Sequence, residues 1–359
     1  MNRKRIIIIG AGVSGLACGI EASGSAEVTI LEHGREPLEK LLLTGNGRCN
    51  FSNTDLSVKH YHGDKELASS VIERFSVDDM LDFMSRCGIE PVEVHYRFNE
   101  NGYFYPSTNS AKTVKDRLLQ VFYENGGRIV TEETVQDVIA CNGHFRILTD
   151  KKEYDCDRLI FACGSNAAPQ TGSDSSIYPV LKKLGIGTIP YLPALCGITT
   201  QDPAVKRFSG MRCEADVVLT GKNGLQEDRS EYGEVQFANG YVSGIPVMQL
   251  SRYVSIGEKN GAEYSLSLHI KKWGNIRKDC GELPSELTID CAGTRSFRYA
   301  QCCSGGVDTA RVNRNTLEYQ DIPGLFFAGE MLNVDGDCGG YNLHFAFGTG
   351  LIAGKASVK

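Results

Sequence analysis

Arg5-Ile6-Ile7-Ile8-Ile9-Gly10-Ala11-Gly12-Val13-Ser14-Gly15-Leu16-Ala17-Cys18 decides the fold. Four consecutive β-branched isoleucines predict a fully buried strand. The strand runs straight into Gly10, Gly12 and Gly15, a GxGxxG turn, and Val13, Leu16, Ala17 and Ile20 then recur at helical spacing. Strand, glycine turn and helix make the first half of a dinucleotide-binding unit. Gly10 permits the tight turn, Gly12 lets backbone approach a pyrophosphate, and Gly15 lets the helix pack close to the strand. The helix N-terminus then offers free N–H groups to the phosphates. A second strand, Ala26 to Leu31, ends in Glu32, where an acid takes a ribose hydroxyl. Arg3, Lys4 and Arg5 before an apolar run also resemble a signal peptide, but three glycines cut the run and the nucleotide pattern continues beyond it.

The 359 residues suffice for two domains. A net charge of -6 and a pI of about 5.7 argue against a general nucleic-acid or anionic-membrane binder. No apolar run approaches a membrane span. Thirteen cysteines with no CxxC pair fit free thiols in a reducing cytoplasm, and neither they nor the seven dispersed histidines show metal-ligand spacing. We therefore expect a cytoplasmic protein with no metal, no nucleic-acid partner and a small-molecule substrate; oligomeric state is not readable.

Further along, Lys40-Leu41-Leu42-Leu43-Thr44-Gly45-Asn46-Gly47-Arg48-Cys49-Asn50-Phe51-Ser52-Asn53 collapses from an apolar run into small, amide and cationic residues. That composition suits a loop around a polar planar ligand, against the plainer reading of a surface turn. Residues 66 to 88 read as helices, with Ser76 and Asp79 as an N-cap signature and Gly88 as a stop. Asn101-Gly102 predicts the turn of a hairpin between 92–98 and 103–105. Tyr103, Tyr105 and Arg97 face either a substrate or a cross-strand packing partner. Ser110 to Asn125 is an amphipathic helix. Short strands follow at 128–131, 134–140 and 144–149, the last two joined at Asn142-Gly143. Asp157 to Gly164 is a buried strand stopping at glycine, a second resting edge for a nucleotide or a simple strand terminus.

From Tyr191 onward, strand-like runs at 195–200, 213–220, 232–242 and 262–270 alternate with turns and show no long helical period. This predicts an inserted β-rich domain over 191–304 within a discontinuous domain of 1–190 and 305–359. Trp273 reads as a domain edge. The α/β character returns with Pro323 to Glu330, then Asp335-Gly336-Asp337-Cys338-Gly339-Gly340-Tyr341-Asn342 and a helix from Leu343 to Lys355. Gly348, Gly350 and Gly354 weaken that helix in isolation and suit close packing against another backbone. Three glycine-rich loops, at 10–15, 44–53 and 336–340, each follow a strand-like run, and such loops gather at the carboxyl ends of a parallel sheet. One loop serves NAD; three suggest a longer ligand with a second ring system, FAD. The helix N-terminus after Gly340 would stabilise a reduced, anionic flavin ring.

The fingerprint at 10–15, KLLLTGNGRCNFSN at 40–53 and GLFFAGEMLNVDGDCGGYNL at 324–343 resemble the BaiN/RdsA-like family of bacterial NAD(P)/FAD-dependent oxidoreductases, also called YhiN-like or aminoacetone-oxidase-like. Weaker matches are GYFYPSTNSAKTV, FACGSNAAPQTGSD, YLPALCGI and GEVQFANGYVSGIPVMQLS, so the resemblance spans nearly the whole chain. It implies an α/β fold: an FAD-binding Rossmann-like domain of the glutathione-reductase kind with an inserted β-rich, barrel-like domain and a helical part. It also implies that Gly10, Gly12, Val13, Ser14 and Gly15 hold the pyrophosphate and Glu32 the adenosine ribose. Val135 would touch the adenine through its backbone. Gly164, Gly329 and Glu330 would lie along the ribityl-diphosphate. Lys40, Thr44, Gly45, Arg48, Cys49 and Asn50 would line the flavin, and Asp337, Gly340, Asn342 and Leu343 would meet the isoalloxazine.

Three departures stand out. Ala162-Cys163-Gly164-Ser165 replaces the family's Ala-Thr-Gly-Gly, Ala238-Asn239 replaces a Thr-His pair, and the chain is short between about 270 and 295. The function implied is hydride transfer through flavin N5, reducing an activated C=C bond with NADH or NADPH as transient donor. Tyr103, Tyr105 and His344 are the candidate proton donors. Amine oxidation, RNA modification and non-catalytic flavin binding are the rivals.

Overall fold

A computed structural model describes residues 3–96, 99–141, 143–222 and 228–359, and its opening stretch is β1 (Arg5–Ile9), α1 (Val13–Ser23) and β2 (Glu27–Leu31). The isoleucines of β1 are all buried and pair in parallel with β2 on one side and with Arg158–Phe161 on the other. The full parallel sheet has the order Leu325–Phe327, Arg158–Phe161, β1, β2, Arg128–Val130. A parallel sheet is covered on both faces, which is why β1 reads as a continuous apolar run rather than an alternating one. Each isoleucine buried there contributes about 1.5–3 kcal/mol. α1 and the helix Ala111–Glu124 pack on one side, and Phe122 fills the space that a side chain at Gly19 would take. The antiparallel strands Val135–Cys141, His144–Thr149 and Glu153–Cys156 pack against β1 and Arg158–Phe161.

The last helix, Tyr341–Ser357, lies on α1 backbone to backbone. A Cβ at Gly350 would stand 2.4 Å from the Ser14 carbonyl oxygen, and one at Gly354 2.6 Å from that of Cys18. The glycines that weaken this helix in isolation are what let it dock. Ser76 and Asp79 form a reciprocal capping box on the helix Val77–Arg86.

By chain contacts the molecule divides into two compact units. One runs to Ser165 and continues over Pro169–Pro190 and Gly305–Lys359; the other comprises Asn166–Ala168 and Tyr191–Ser304. The second unit has one antiparallel sheet in the order Ile198–Thr199, Tyr241–Ser243, Arg229–Ala238, Arg212–Gly221, Tyr264–Gly274, Glu286–Asp290. Its edges meet: Thr199 N–H donates to Gly293 O and Ala292 N–H to Thr199 O, so the hydrogen-bonded ring closes as a barrel. Alternate residues Cys213, Ala215, Val217 and Leu219 face the interior. Trp273 stacks on Phe237 and packs at a tilt against Phe208 within this unit. The stretch after Gly274 is a plain connection to the neighbouring strand, with no helix.

Two expectations are corrected. Asn101-Gly102 is not a turn: the register Pro91↔Pro106 to Tyr96↔Asn99 makes both residues part of the second strand, while Arg97 and Asn142 lie outside the described residues. Gly102 sits inside the strand Asn99–Pro106. Its N–H donates to Thr54 Oγ1 (2.8 Å) and its carbonyl accepts from Thr54 N–H (2.9 Å), so pairing with a distant segment overrides the local turn preference. The β-rich unit also contains a fifteen-residue helix, Ile245–Lys259. Its buried stripe is Val247, Leu250, Ser251, Val254 and Ser255; the serines donate to Met248 O and Pro193 O. Two serines within the stripe hide the helical period.

Candidate functional site

All five parallel strands point their carboxyl ends the same way, so Gly10, Glu32, Ala162 and Ala328 emerge on one side. Gly10 adopts φ +103°, and a Cβ there would strike Ala162 O at 2.5 Å. A Cβ at Gly15 would lie 2.0 Å from Gly10 O, so only glycine lets α1 begin this close to β1. At Gly12, by contrast, a Cβ would meet no protein atom within 4 Å. The loop is tight everywhere except at the residue that faces outward. α1 starts at Gly12 without a side-chain cap, leaving its first N–H groups without an intrahelical acceptor. Glu32 accepts from Ala11 N–H and Gly34 N–H, both at 2.7 Å, one on each carboxylate oxygen. Glu133 N–H donates to Glu32 O, which brings Val135 alongside this end of the site.

The second loop starts from the first, since Leu38 N–H donates to Ala11 O. Lys40 Nζ meets Glu330 Oε2 at 2.5 Å, and Ser165 Oγ donates to Glu330 Oε1 at 2.8 Å. The hydroxyl at Ser165, a departure from the family pattern, is thus used. Thr44 Oγ1 donates to Leu41 O, and Gly45, Asn46, Gly47 and Cys49 all take positive φ. Arg48 closes the turn onto Gly45 O, donates to Tyr96 OH at 2.8 Å and lies over the Tyr105 ring at 4.8 Å. Asn50 donates to Phe104 O and Ser52 O.

The third loop packs on the second. A Cβ at Gly340, φ +93°, would meet Ser52 O at 2.7 Å and the Asn50 side-chain amide at 2.9 Å. One at Gly329 would meet Ser14 Oγ at 2.3 Å, which ties this end of the chain to the first turn. Asn342 clamps Gly336 through its amide, and the helix Tyr341–Ser357, like α1, begins without a side-chain cap. Leu343 is half-buried on its first turn. Gly164 takes φ +73° at the end of its strand.

Tyr103 and Tyr105 point to the same side of their strand and stand between these loops. Tyr105 contacts the position of a Gly45 side chain and Tyr103 that of Gly339. The Tyr105 hydroxyl accepts from Tyr96 OH at 3.2 Å, and burial pushes its ionisation upward.

Two candidates are corrected. His344 is fully buried: its Nε2–H donates to Phe75 O and its Nδ1 accepts from Ser52 Oγ, both at 2.8 Å. Burial lowers its titration to about 4, so it is a neutral core histidine with both nitrogens used and no proton to deliver near neutrality. The Cys49 side chain is likewise inside the core, its thiol pushed up to about 12 by burial, so only the backbone of Cys49 faces the loop.

One cluster has no signal in sequence. His60 Nδ1 lies 3.1 Å from Asp337 Oδ2, His60 Nε2 2.9 Å from Asp55 Oδ2, and His62 Nε2 2.9 Å from Asp337 Oδ1. Asp337, expected beside the isoalloxazine, has one carboxylate oxygen on each of these imidazoles. No periodicity links residues 55, 60 and 62 with 337; the pairing of Tyr61–Gly63 with Val334–Gly336 brings them together.

A family model described as HI0933-like protein Rossmann domain matches residues 4–356. The chain is 31% identical over 419 residues to 3-dehydro-bile acid delta(4,6)-reductase of Clostridium scindens, with 99% of each chain covered. It is 25% identical over 410 residues to ribosomal RNA dihydrouridine synthase of Escherichia coli, covering 99% of this chain and 100% of that one. Among solved structures, 3-ketosteroid-delta4-(5alpha)-dehydrogenase of Rhodococcus jostii shares the fold with a TM-score of 0.55 at 16% identity, covering 100% of this chain and 98% of that one.

Proposed function

The chain belongs to the HI0933-like Rossmann-domain family, and from that membership we propose that this FAD-dependent oxidoreductase reduces a carbon–carbon double bond conjugated to a carbonyl, in a small substrate. The observation that carries the substrate class is the 31% identity, end to end, to a protein named as a delta(4,6)-reductase of a 3-oxo bile acid. Such a double bond accepts hydride at the carbon remote from the carbonyl and a proton at the other.

Bound FAD, once reduced, would supply the hydride from N5. The rest is the work of this chain. We assign the pyrophosphate to the Gly10–Gly15 turn with Val13 and Ser14, where Gly12 leaves room for it and the uncapped α1 offers N–H donors. Each Glu32 oxygen accepts only one backbone N–H and keeps capacity for a ribose hydroxyl. Val135 is assigned to the adenine, and Gly164, Gly329 and Glu330 to the ribityl-diphosphate. Lys40, Thr44, Gly45, Arg48, Cys49 and Asn50 line one side of the flavin; Asp337, Gly340, Asn342 and Leu343 form the other. The second uncapped helix, after Gly340, stabilises negative charge there. Tyr103 is the preferred proton donor, because it lies against Gly339 at that helix start, with Tyr105 second. The β-rich stretch, 191–304, is assigned the substrate-selecting role, with NADH or NADPH as the transient electron source. Cytoplasmic residence goes with this reading; among the described residues no helix is long and apolar enough to cross a membrane.

A second reading, reduction of a uridine ring in RNA, is favoured by the full-length likeness to a ribosomal RNA dihydrouridine synthase. The chemistry is the same, since the uracil C5=C6 bond is also conjugated to a carbonyl. The net charge of -6 weighs against it. One experiment separates them. Purified protein should be yellow after desalting and bleach anaerobically with NADH or NADPH. A 3-oxo-4,6-diene steroid acid should then restore the colour, and uridine-containing RNA should not. Colourless protein that takes up no FAD overturns the cofactor; recovery with RNA alone overturns the substrate class.

A further inference from the structure

Asp55, His60, Asp337 and His62 form a chain of alternating carboxylates and imidazoles, and its hydrogen-bond accounting is restrictive. Both His60 nitrogens face carboxylate oxygens, Nδ1 toward Asp337 and Nε2 toward Asp55. An ionised carboxylate only accepts. His60 must therefore donate from both nitrogens, which makes it an imidazolium. The other Asp337 oxygen accepts from His62 Nε2, and Asp55 is shared with Lys59 at 2.8 Å and the Asn101 amide at 3.3 Å. The ring of His60 stacks on Tyr341, centroids 4.5 Å apart and planes 21° apart, a face that favours a cation. The chain also anchors backbone. Asp337 N–H donates to His60 O at 2.9 Å, and Tyr341 is the first residue of the last helix.

We propose that His60 is a positioning residue, a doubly protonated clasp that ties Asp337 and the Gly336–Gly340 turn to Asp55, so that the start of the last helix keeps the shape that grips the flavin. This rests on the reading of that turn as part of a flavin site. The groups facing His60 are Asp55, Asp337 and the Tyr341 ring; behind them, Lys59 and the Asn101 amide meet Asp55, His62 meets Asp337 and Tyr103 acts on Tyr341, while Asp335, in register with His62, is buried. Burial opposes the charge on His60, yet its bonds to Asp337 and Asp55 outweigh burial and hold its titration above the ordinary value. Burial likewise opposes the Asp337 charge, and the two imidazoles hold its carboxyl below the usual range. The clasp is thus intact at low pH and is lost as pH rises through the raised His60 titration.

The test combines nitrogen-15 histidine spectra with FAD titrations of the full chain across pH. Spectra should show one ring, absent in His60→Gln, that is protonated on both nitrogens at about pH 6. FAD should bind more weakly as that ring loses its proton. His60→Gln should raise the FAD Kd about tenfold, or about 1.4 kcal/mol, at acid pH and flatten the pH profile. Asp55→Asn should move both the ring titration and the FAD profile to lower pH. A neutral His60 at about pH 6, or a His60→Gln protein with the wild-type FAD profile, overturns the clasp. A merely structural role would weaken FAD binding equally at every pH. If the wild-type chain takes up no FAD, the flavin reading fails, and the ring titration of the cofactor-free protein still decides the protonation of His60.

Discussion

Gly12 and Gly15 are three residues apart in one turn, yet the structure assigns them opposite consequences on substitution. At Gly12 φ is -77°, which any residue adopts, and a methyl group would touch no protein atom within 4 Å. Replacing a glycine N-cap by alanine costs about 1 kcal/mol, while reduced freedom in the unfolded chain returns about 0.4–1 kcal/mol. Gly12→Ala should therefore melt within a few degrees of wild type. Its methyl group nevertheless occupies the ground assigned to the pyrophosphate, and loss of one close backbone contact there should weaken FAD by about a hundredfold, or about 2.7 kcal/mol. Gly15→Ala places a methyl group 2.0 Å from the Gly10 carbonyl oxygen, a backbone atom that cannot swing away. Separating α1 from β1 to relieve this should cost about 3 kcal/mol or more in stability. The assay is a thermal melt of each cofactor-free protein beside a flavin-fluorescence titration. Wild-type FAD affinity in Gly12→Ala, or a melt as low as that of Gly15→Ala, would refute the assignment of this turn.

Other consequences are simpler to state. The depressed titration of buried His344, about 4 against 6.5, means the unfolded chain binds the extra proton first, so stability present above about pH 6.5 is lost as pH falls toward 4. The loss approaches about 3 kcal/mol, and denaturant melts of His344→Gln should show a flatter acid limb than wild type. Lys40 and Glu330 are both largely buried, with side-chain exposures of 26% and 17%. A double-mutant cycle with Lys40→Met and Glu330→Gln should give a coupling of about 1 kcal/mol, and additive melts would show the pair to be idle. Under native conditions an alkylating reagent should label exposed Cys141 first and leave Cys49 and Cys18 untouched until unfolding, which peptide mapping reads directly.

Sequence by itself determined what depends on neighbours along the chain. The Ile6–Ile9 run, the glycine spacing after it and Glu32 at the end of the next strand specify a βαβ unit, because strand burial, tight turns and helix starts are local matters of sterics and backbone conformation. The same holds for the Ser76 capping box and for the glycines of the last helix, whose purpose was legible even though their partner was not. Tertiary structure decided everything that depends on a distant partner. Thr54 turned Asn101-Gly102 from a turn into a strand, and Ser52 with Phe75 made His344 a satisfied core residue rather than a proton donor. Core packing took the Cys49 thiol away from its loop. Serines within a helical stripe concealed Ile245–Lys259, because Ser255 finds its Pro193 carbonyl and Ser251 the Cys196 N–H only once the fold is made. The Asp55–His60–Asp337–His62 chain joins residues some 280 positions apart: a charge pattern closed through space leaves no period along the sequence, since hydrogen bonds are made between atoms and not between positions.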